Sequence, residues 1–379
     1  MTHLALKMLF ADRAKYVMLL SGLTFAALLM TQQAGVFVGI LGWTQGNLRN
    51  MRAPIWVVDP KVEQVNEVKP MRDTDVSRVR SVPGVAWAVP MYWGILQARL
   101  ADGTFKPVQL VGLDNASMIG RPARMLAGRV EDLRLPNAVI IDELGVQRLS
   151  RGRPRPIGVG DVFEMNDREA RIVGIARTEM SFFGYPYVFS TYEQALEFAP
   201  RQRKMLSYIL VKPAEGEEPE AVAARIRAGT GLGAYTEERF GVETVKWFFV
   251  NTGIPTSFGM TILLGFIVGV AVAGQTFYSF ILENLRHFGA LKAMGASDAR
   301  LTGMVLLQAF SVGLIGYGLG IGLTVAIGSV FLKKGMPPFD LPWQLPVATL
   351  VAILVICTFA ALLGIRRIRR LDPAIVFRG

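Results

Sequence analysis

Four long apolar runs constrain this chain more than any other feature. They cover residues 16–41, 253–282, 301–332 and 345–365, and none carries a charged residue well inside it. An α-helix rises about 1.5 Å per residue, so roughly 20 residues cross the ~30 Å hydrocarbon layer of a bilayer. The longer runs must tilt or project beyond that layer. A soluble core in a chain of 379 residues does not need unbroken runs of this length, and 51% hydrophobic against 19% charged residues agrees with a membrane protein. The expectation is four transmembrane helices rather than four buried helices of a soluble domain.

The first run follows Lys7, Arg13 and Lys15, as a secretory signal would, but it is too long for a signal core and no small-x-small cleavage site follows it. "GVFVGILGWTQGN" reads as the outer end of an uncleaved helix, with Trp43 at interface depth. Before it, residues 1–15 place Leu4, Met8 and Phe10 beside Lys7 and Arg13, which predicts a short amphipathic helix lying on the membrane.

Basic residues set the expected orientation. The N-terminal segment, the 283–300 connection and the 366–379 tail hold eleven Lys and Arg, against two, Lys333 and Lys334, in the short 333–344 loop. The positive-inside rule then places both termini and the 283–300 connection in the cytoplasm, and residues 42–250 outside. That segment is nearly balanced, with 28 basic and 25 acidic residues, so most of the net charge of +11 sits in the membrane part. The charge therefore reports topology and contact with membrane lipids, and no nucleic-acid partner is expected.

Between 42 and 250 the pattern changes to short apolar or alternating runs such as "APIWVVD", "KPVQLVGLD", "NAVIIDELGV" and "LSYILVK", separated by turn signals such as "ADGT" and "MNDRE". Helical stretches are expected over 74–82, 192–198 and 219–228. The fold class expected is thus a four-helix membrane protein with a large α+β periplasmic domain inserted between helices 1 and 2. "RGRPRPIGVG" (151–160) reads as an exposed loop, with a polyanion contact as the alternative.

The third run contains "GLIGYGLGIGL". No strand precedes it and no Lys-Ser/Thr follows, so a nucleotide loop is excluded. Gly316/Gly320 and Gly318/Gly322 are spaced i, i+4, as are Gly265/Gly269 and Gly35/Gly39. This spacing bares backbone on one helix face and predicts tight helix packing. Gln32, Gln33 and Gln275 are the most polar residues within the runs, and hydrogen bonds between helices account for them.

Catalytic patterns are missing. There is no GxxxxGK[ST], HExxH, CxxC or GxSxG, and His3 and His287 are far apart in sequence. No metal site is expected, and no cofactor bound by this chain. Asp142 and Glu143 end a strand-like run; as a pair they read as an exposed helix N-terminus rather than as acid–base machinery. Without charged residues inside the runs an ion-coupled carrier is not supported. Cys357, the single cysteine, reads as a packing residue.

"ENLRHFGALKAMGAS", between the second and third runs, resembles the cytoplasmic segment that joins helices two and three in FtsX/MacB-type ABC permeases. Glu283, Phe288, Gly289, Leu291, Lys292, Ala293, Met294, Gly295, Ala296 and Ser297 match the family form, whereas Asn284 and His287 replace its usual Arg and Glu. "RIRRLDPAIVFRG" resembles the family's C-terminal signature, and "LVGLD", "AGRVED", "NAVIIDELGVQRL", "VGDVFEM" and "ARIVGIA" follow the pattern of its external, MacB-PCD-like domain in order. The N-terminal part looks most like the DevC branch.

The resemblance implies a permease subunit in the bacterial inner membrane, homodimeric, coupled to a separate cytoplasmic ATPase that binds ATP and Mg, and working with an HlyD-like membrane-fusion protein. Such proteins transmit ATP-driven motion to the periplasm, here for export of a lipid, lipoprotein or small amphiphile. The alternatives are an FtsX-like regulator that activates a periplasmic cell-wall hydrolase, and a membrane-anchored enzyme, which no catalytic constellation supports. ATPase coupling is assigned to Glu283, Arg286, Phe288, Gly289, Leu291, Lys292, Met294 and Gly295. At 100° per residue Ile281, Leu282, Leu285, Phe288 and Leu291 fall on one broad side, and Glu283, Arg286 and His287 on the other. The expectation is that Phe288 and Leu291 insert into a groove on the ATPase.

Overall fold

The computed structural model describes residues 2–11, 13–200, 205–334 and 338–369. The chain forms two compact units, one of Met1–Ile40 with Gly253–Gly379, the other of Leu41–Thr252.

The first unit is helical. α1 (Thr2–Ala11) precedes α2 (Arg13–Thr44), and the chain re-enters this unit with α9 (Ile254–Glu283) and α10 (Leu285–Ala293), followed by α11 (Asp298–Lys334) and α12 (Gln344–Arg369). Among the described residues α2, α9, α11 and α12 are long and apolar enough to cross a membrane. In lipid every backbone polar group must be paired within the chain, which an unbroken helix achieves by itself. The core is aliphatic and aromatic: Leu19, Leu23, Ala26 and Ala27 of α2 meet Phe277 and Ile281 of α9, Val305 and Ala309 of α11, and Ile353 and Ala360 of α12.

Glycine lets the helix backbones approach. A Cβ on Gly320 would stand 2.6 Å from the Ala27 Cβ and 2.9 Å from the Thr24 carbonyl oxygen, and one on Gly316 3.0 Å from the Leu23 Cβ. Gly265 faces Leu29 of α2, and Gly269 lies between Ala26 of α2 and Ile356 of α12. Gly35 and Gly39 do something else. They receive Phe339 and the backbone of Pro338, in the segment before α12, and the Asp340 N–H donates to the Gly35 carbonyl at 3.0 Å. Their bare backbone admits a returning loop rather than a helix. Gly318 and Gly322 face open space.

Polar groups inside the unit are few and local. The Thr31 and Thr349 hydroxyls are hydrogen-bonded at 2.9 Å between α2 and α12, and the buried Gln308 amide donates to the Ala5 carbonyl at 2.7 Å. That bond, with buried Ala5 and Leu9, fastens α1 to α11, so the N-terminal helix has an apolar stripe seated on protein and ends at Ala11. Cys357 is buried against Gly313. Residues 335–337 and 370–379, including most of the C-terminal signature, lie outside the described residues.

The second unit is a mixed sheet with helices on it. Its elements are α3 (Gly46–Met51), β1 (Ile55–Val58), α4 (Thr74–Arg80), β2 (Val85–Arg99), β3 (Phe105–Leu113), β4 (Arg124–Gly128), β5 (Ala138–Asp142), α5 (Glu143–Leu149), β6 (Val162–Met165), β7 (Arg168–Arg177), β8 (Tyr187–Thr191), α6 (Tyr192–Phe198), β9 (Tyr208–Pro213), α7 (Pro219–Thr230), β10 (Gly233–Thr236) and α8 (Glu237–Asn251). The strand order is β10-β1-β9-β2-β3-β8-β5-β7-β4, with β6 bridging β2 and β7. β3–β8 and β5–β7 are parallel and the other pairs antiparallel. The 15-residue β2 joins two halves: its first part pairs with β9 and its second with β3. Alternation along β2 sends Tyr92 and Trp93 to opposite faces, into different apolar clusters. Asn166 and Asp167, both at positive φ, turn β6 into β7, a two-residue hairpin for which these residue types are suited.

Two acids expected to be exposed at a helix start are not alike. Glu143 is held by Arg177 through two bonds of 2.8 Å. Asp142 is buried and caps α5, accepting from the Gly145 N–H at 2.7 Å, the Thr178 hydroxyl at 3.1 Å and the Tyr187 N–H at 3.1 Å. Loss of solvent outweighs these bonds and pushes its carboxyl up to about 6. A carboxyl raised in the folded state binds its proton more tightly there than in the unfolded chain, so stability rises as pH falls through 6 towards the unfolded value. Between pH 7 and pH 5 the gain from this group is about 1 kcal/mol. Denaturation of the detergent-solubilised chain, followed by tryptophan fluorescence, should show this slope, and Asp142→Asn should remove that part of it.

Candidate functional site

The stretch from Glu283 to Arg300 is a compact elbow whose every turn has a local cause. α9 stops where Asn284 leaves helical geometry and its side-chain amide takes up the Phe280 carbonyl at 2.9 Å. α10 begins at once, its Phe288 N–H bonded to the Asn284 carbonyl at 3.1 Å. At its far end Gly295 adopts φ +90°, the Ala296 N–H donates to the Leu291 carbonyl and the Gly295 N–H to the Lys292 carbonyl, both at 3.0 Å. This is a Schellman closure, and glycine is the residue that enters the left-handed region without strain. Ser297 then caps α11 by accepting from the Arg300 N–H at 3.4 Å.

Two ion pairs brace the elbow. Glu283 at the end of α9 pairs with Lys15 at the start of α2, and Lys292 of α10 pairs with Asp298 of α11 at 3.0 Å. Sequence reasoning found Glu283 and Lys292 but not Lys15, whose pairing needs α2 and α9 to meet in space. Among the described residues no acid pairs with Arg286.

The apolar side of α10 points inward. Phe288 is 1% exposed and Leu291 8%, and both belong to the same cluster as Phe280, Ile281 and Leu301. The expectation that these two side chains insert into a partner is therefore corrected: the ends of α9 and α11 already cover them, because an i, i+3 apolar pair so close to a membrane core is buried by its own chain first. Gly289 is buried as well. What α10 offers outward is Arg286, His287 and, past its end, Met294 at 76% exposed, next to exposed Gly295. A flexible thioether flanked by cationic and small groups suits a surface that must adapt to a partner.

A second constellation, not found from sequence, lies in the sheet domain. α3 follows α2 after Gln45, and its Asn47 oxygen accepts from Gln109 Nε2 at 2.6 Å and from the Tyr187 hydroxyl at 2.7 Å, while its nitrogen donates to Asn66 at 3.2 Å. Asn50 makes two bonds to the Glu179 backbone, of 2.9 and 2.8 Å. Leu48 and Met51 are buried between these polar pegs. The signal was there in "QGNLRN", where two asparagines stand three apart on one helix face.

The basic loop at 151–160 is tied down. Arg155 grips Asp161 through two bonds, Arg151 pairs with Asp102 at 3.5 Å and Arg153 donates to the Val162 carbonyl. Its arginines serve the loop's own fold. Among the described residues no three His, Cys, Asp or Glu side chains converge as metal ligands.

Two family models match the chain: the FtsX-like permease C-terminal model over residues 259–373, and the MacB-like periplasmic core domain model over residues 26–228, more than half of the chain. An ABC transporter permease of Mycobacterium tuberculosis is 26% identical over 311 residues, 82% of this chain and 80% of that protein. One from Methanocaldococcus jannaschii is 25% identical over 59% of each. The macrolide export ATP-binding/permease protein MacB of Shewanella oneidensis is 26% identical over 57% of this chain but 34% of its own length. The periplasmic region of MacB from Actinobacillus actinomycetemcomitans superposes on 54% of this chain and 95% of that region, with 13% identity and a TM-score of 0.39.

The burial of Phe288 yields a direct expectation. Phe288→Asp places a carboxylate in an apolar core and should cost about 3–5 kcal/mol for the lost ring, with a further penalty for the charge. Met294→Asp should leave folding unchanged. Membrane expression and thermal stability in detergent separate the two variants, and equal behaviour would contradict the inward placement of α10.

Proposed function

Because this chain belongs to the FtsX-like ABC transporter permeases that carry a MacB-like periplasmic core domain, we propose that it passes ATP-driven motion from a separate cytoplasmic ATPase to that domain, for export of a lipid, lipoprotein or small amphiphile. The observation that carries this reading is the elbow: α10 is locked at both ends and along its apolar side, yet presents Arg286, His287 and Met294 outward. A push on that face is delivered to α9 and α11 rather than absorbed by a hinge. Both termini lie in the cytoplasm in this reading, a second copy of the permease completes the assembly, and an HlyD-like membrane-fusion protein meets the periplasmic domain. ATP and Mg belong to the ATPase. The low polarity of the four helices favours motion over a hydrophilic conduit for cargo between them.

The test is reconstitution with the ATPase. The permease by itself should hydrolyse no ATP. Met294→Asp together with Arg286→Glu should abolish co-purification and permease-stimulated hydrolysis while membrane expression stays normal. Loss of several desolvated contacts of about 1–2 kcal/mol each corresponds to at least roughly a hundredfold weaker association. Turnover by the permease free of partner, or full stimulation by the double variant, would overturn the proposal.

A further inference from the structure

The periplasmic domain is joined to membrane-spanning helices at two places, and aromatic residues stand at both. Trp43 lies two residues beyond the apolar run 16–41 of α2, at the level where hydrocarbon gives way to lipid headgroups. Phe248, near the end of α8, precedes the apolar run that opens at 253 by five residues, at most about 18 Å of chain.

The segment between β7 and β8, "TEMSFFGYP" (178–186), is fastened to both places. Towards α2, Asn50 holds the Glu179 backbone through its two bonds, and the Met180 carbonyl lies against Gly46, where any Cβ would collide with it. Gly184, at φ +61°, closes the turn by donating its N–H to the Ser181 carbonyl at 2.8 Å, and a Cβ on it would stand 3.9 Å from the Trp43 ring. Towards α8, the Phe182 and Phe248 ring centroids are 4.6 Å apart. All of these residues belong to the second unit. With Phe182 packed against α8, its neighbour Phe183 is left 39% exposed, stacked on Tyr185 with centroids 5.8 Å apart. Phe249 and Val250, on the last turn of α8, are exposed as well.

We infer that this aromatic turn is a membrane-surface contact: Phe183, with Tyr185 and Trp43 beside it, enters the boundary between headgroups and acyl chains in the leaflet on the side of the periplasmic domain. Trp43 sets the depth, because it shares one unbroken helix with the apolar run and packs beside the turn. The ring types suit that depth. Phe183 supplies an apolar body, and Trp43 and Tyr185 add polar edges that stay hydrated, the combination favoured at bilayer interfaces. An exposed Phe gains nothing from water but gains from burial among acyl chains. The bonds from Asn50 and the Phe182–Phe248 contact hold the turn at one level, so the domain stands on the leaflet as well as being tethered to it by chain.

The experiment uses the full chain with its ATPase, reconstituted in vesicles of phosphatidylethanolamine and phosphatidylglycerol, in a Cys357→Ala background. Nitroxide labels are placed at Phe183→Cys, at Val250→Cys and at Asp102→Cys. Asp102 lies in the turn past the far end of β2, nine residues from Trp93 and about 30 Å along an extended strand, and Trp93 meets Phe183 with ring centroids 6.5 Å apart. Collision with oxygen, which concentrates in lipid, is compared with collision with a nickel chelate, which stays in water. The oxygen-to-nickel ratio at 183 and 250 should exceed that at 102 several-fold; the second site keeps the test valid if the cysteine at 183 disturbs the turn. Ratios at 183 and 250 equal to that at 102 would place the turn in water and overturn the inference. Labels at both sites shielded from both reagents would show a protein partner in place of lipid and overturn it as well.

Discussion

Phe288 and Leu291 hold the elbow to the helical core, and the behaviour of the rest follows from that burial. A nine-residue helix is too short to persist in water by its own hydrogen bonds. α10 is stable because its apolar side is packed under the ends of α9 and α11, because Asn284 and the Gly295 closure satisfy its terminal groups, and because Lys292 is paired with Asp298. These constraints tie α10 to its neighbours at both ends and along its buried side. In the proposed mechanism its exposed residues are a handle on two membrane-spanning helices at once.

The same economy governs the sheet domain where the chain enters it. α3 is six residues long, yet Asn47 and Asn50 reach partners on β3, β8 and the segment before β8, and Leu48 and Met51 fill the apolar space between them. Buried amides left unpaired cost more than they return when paired, so such a network specifies one seating of α3 and penalises any slip. Asp142 adds to the same region, since it accepts from the N–H of Tyr187, the residue whose hydroxyl donates to Asn47. In a protein proposed to transmit displacement, stiff seating at the point of entry is what the function requires.

Much of this was legible in the sequence. Membrane helices announce themselves by unbroken length, and the alternating runs between them by period two; both are local signals. The helices over 192–198 and at Pro219 were visible in the same way. The elbow was legible as a motif that contains Gly295 and Ser297, the residues the structure shows turning and capping it. What was not legible depends on contacts far apart in sequence. The inward direction of Phe288 needs Leu301 and Phe280 in place; Lys15 meets Glu283 only after α2 and α9 pack; and Gly35 with Gly39 receive Phe339, some 300 residues on, which i, i+4 spacing cannot distinguish from a helix partner. Asp142 looked like one of two exposed acids because burial of a strand end is a property of the sheet, not of the run that forms it.

The central claim is that α10 moves as one piece with the helices it joins. It is tested most directly by spin-label distances in the complex with the ATPase, measured without nucleotide and with ATP trapped, in chains carrying cysteines at His287 and Val17 on the exposed ends of α10 and α2. The account predicts that the His287–Val17 distance is the same in both states, while a second pair, His287 with Asp102 in the periplasmic domain, shifts on ATP trapping. A His287–Val17 distance that changes with nucleotide, with the His287–Asp102 distance fixed, would show the elbow to be a hinge and contradict the account.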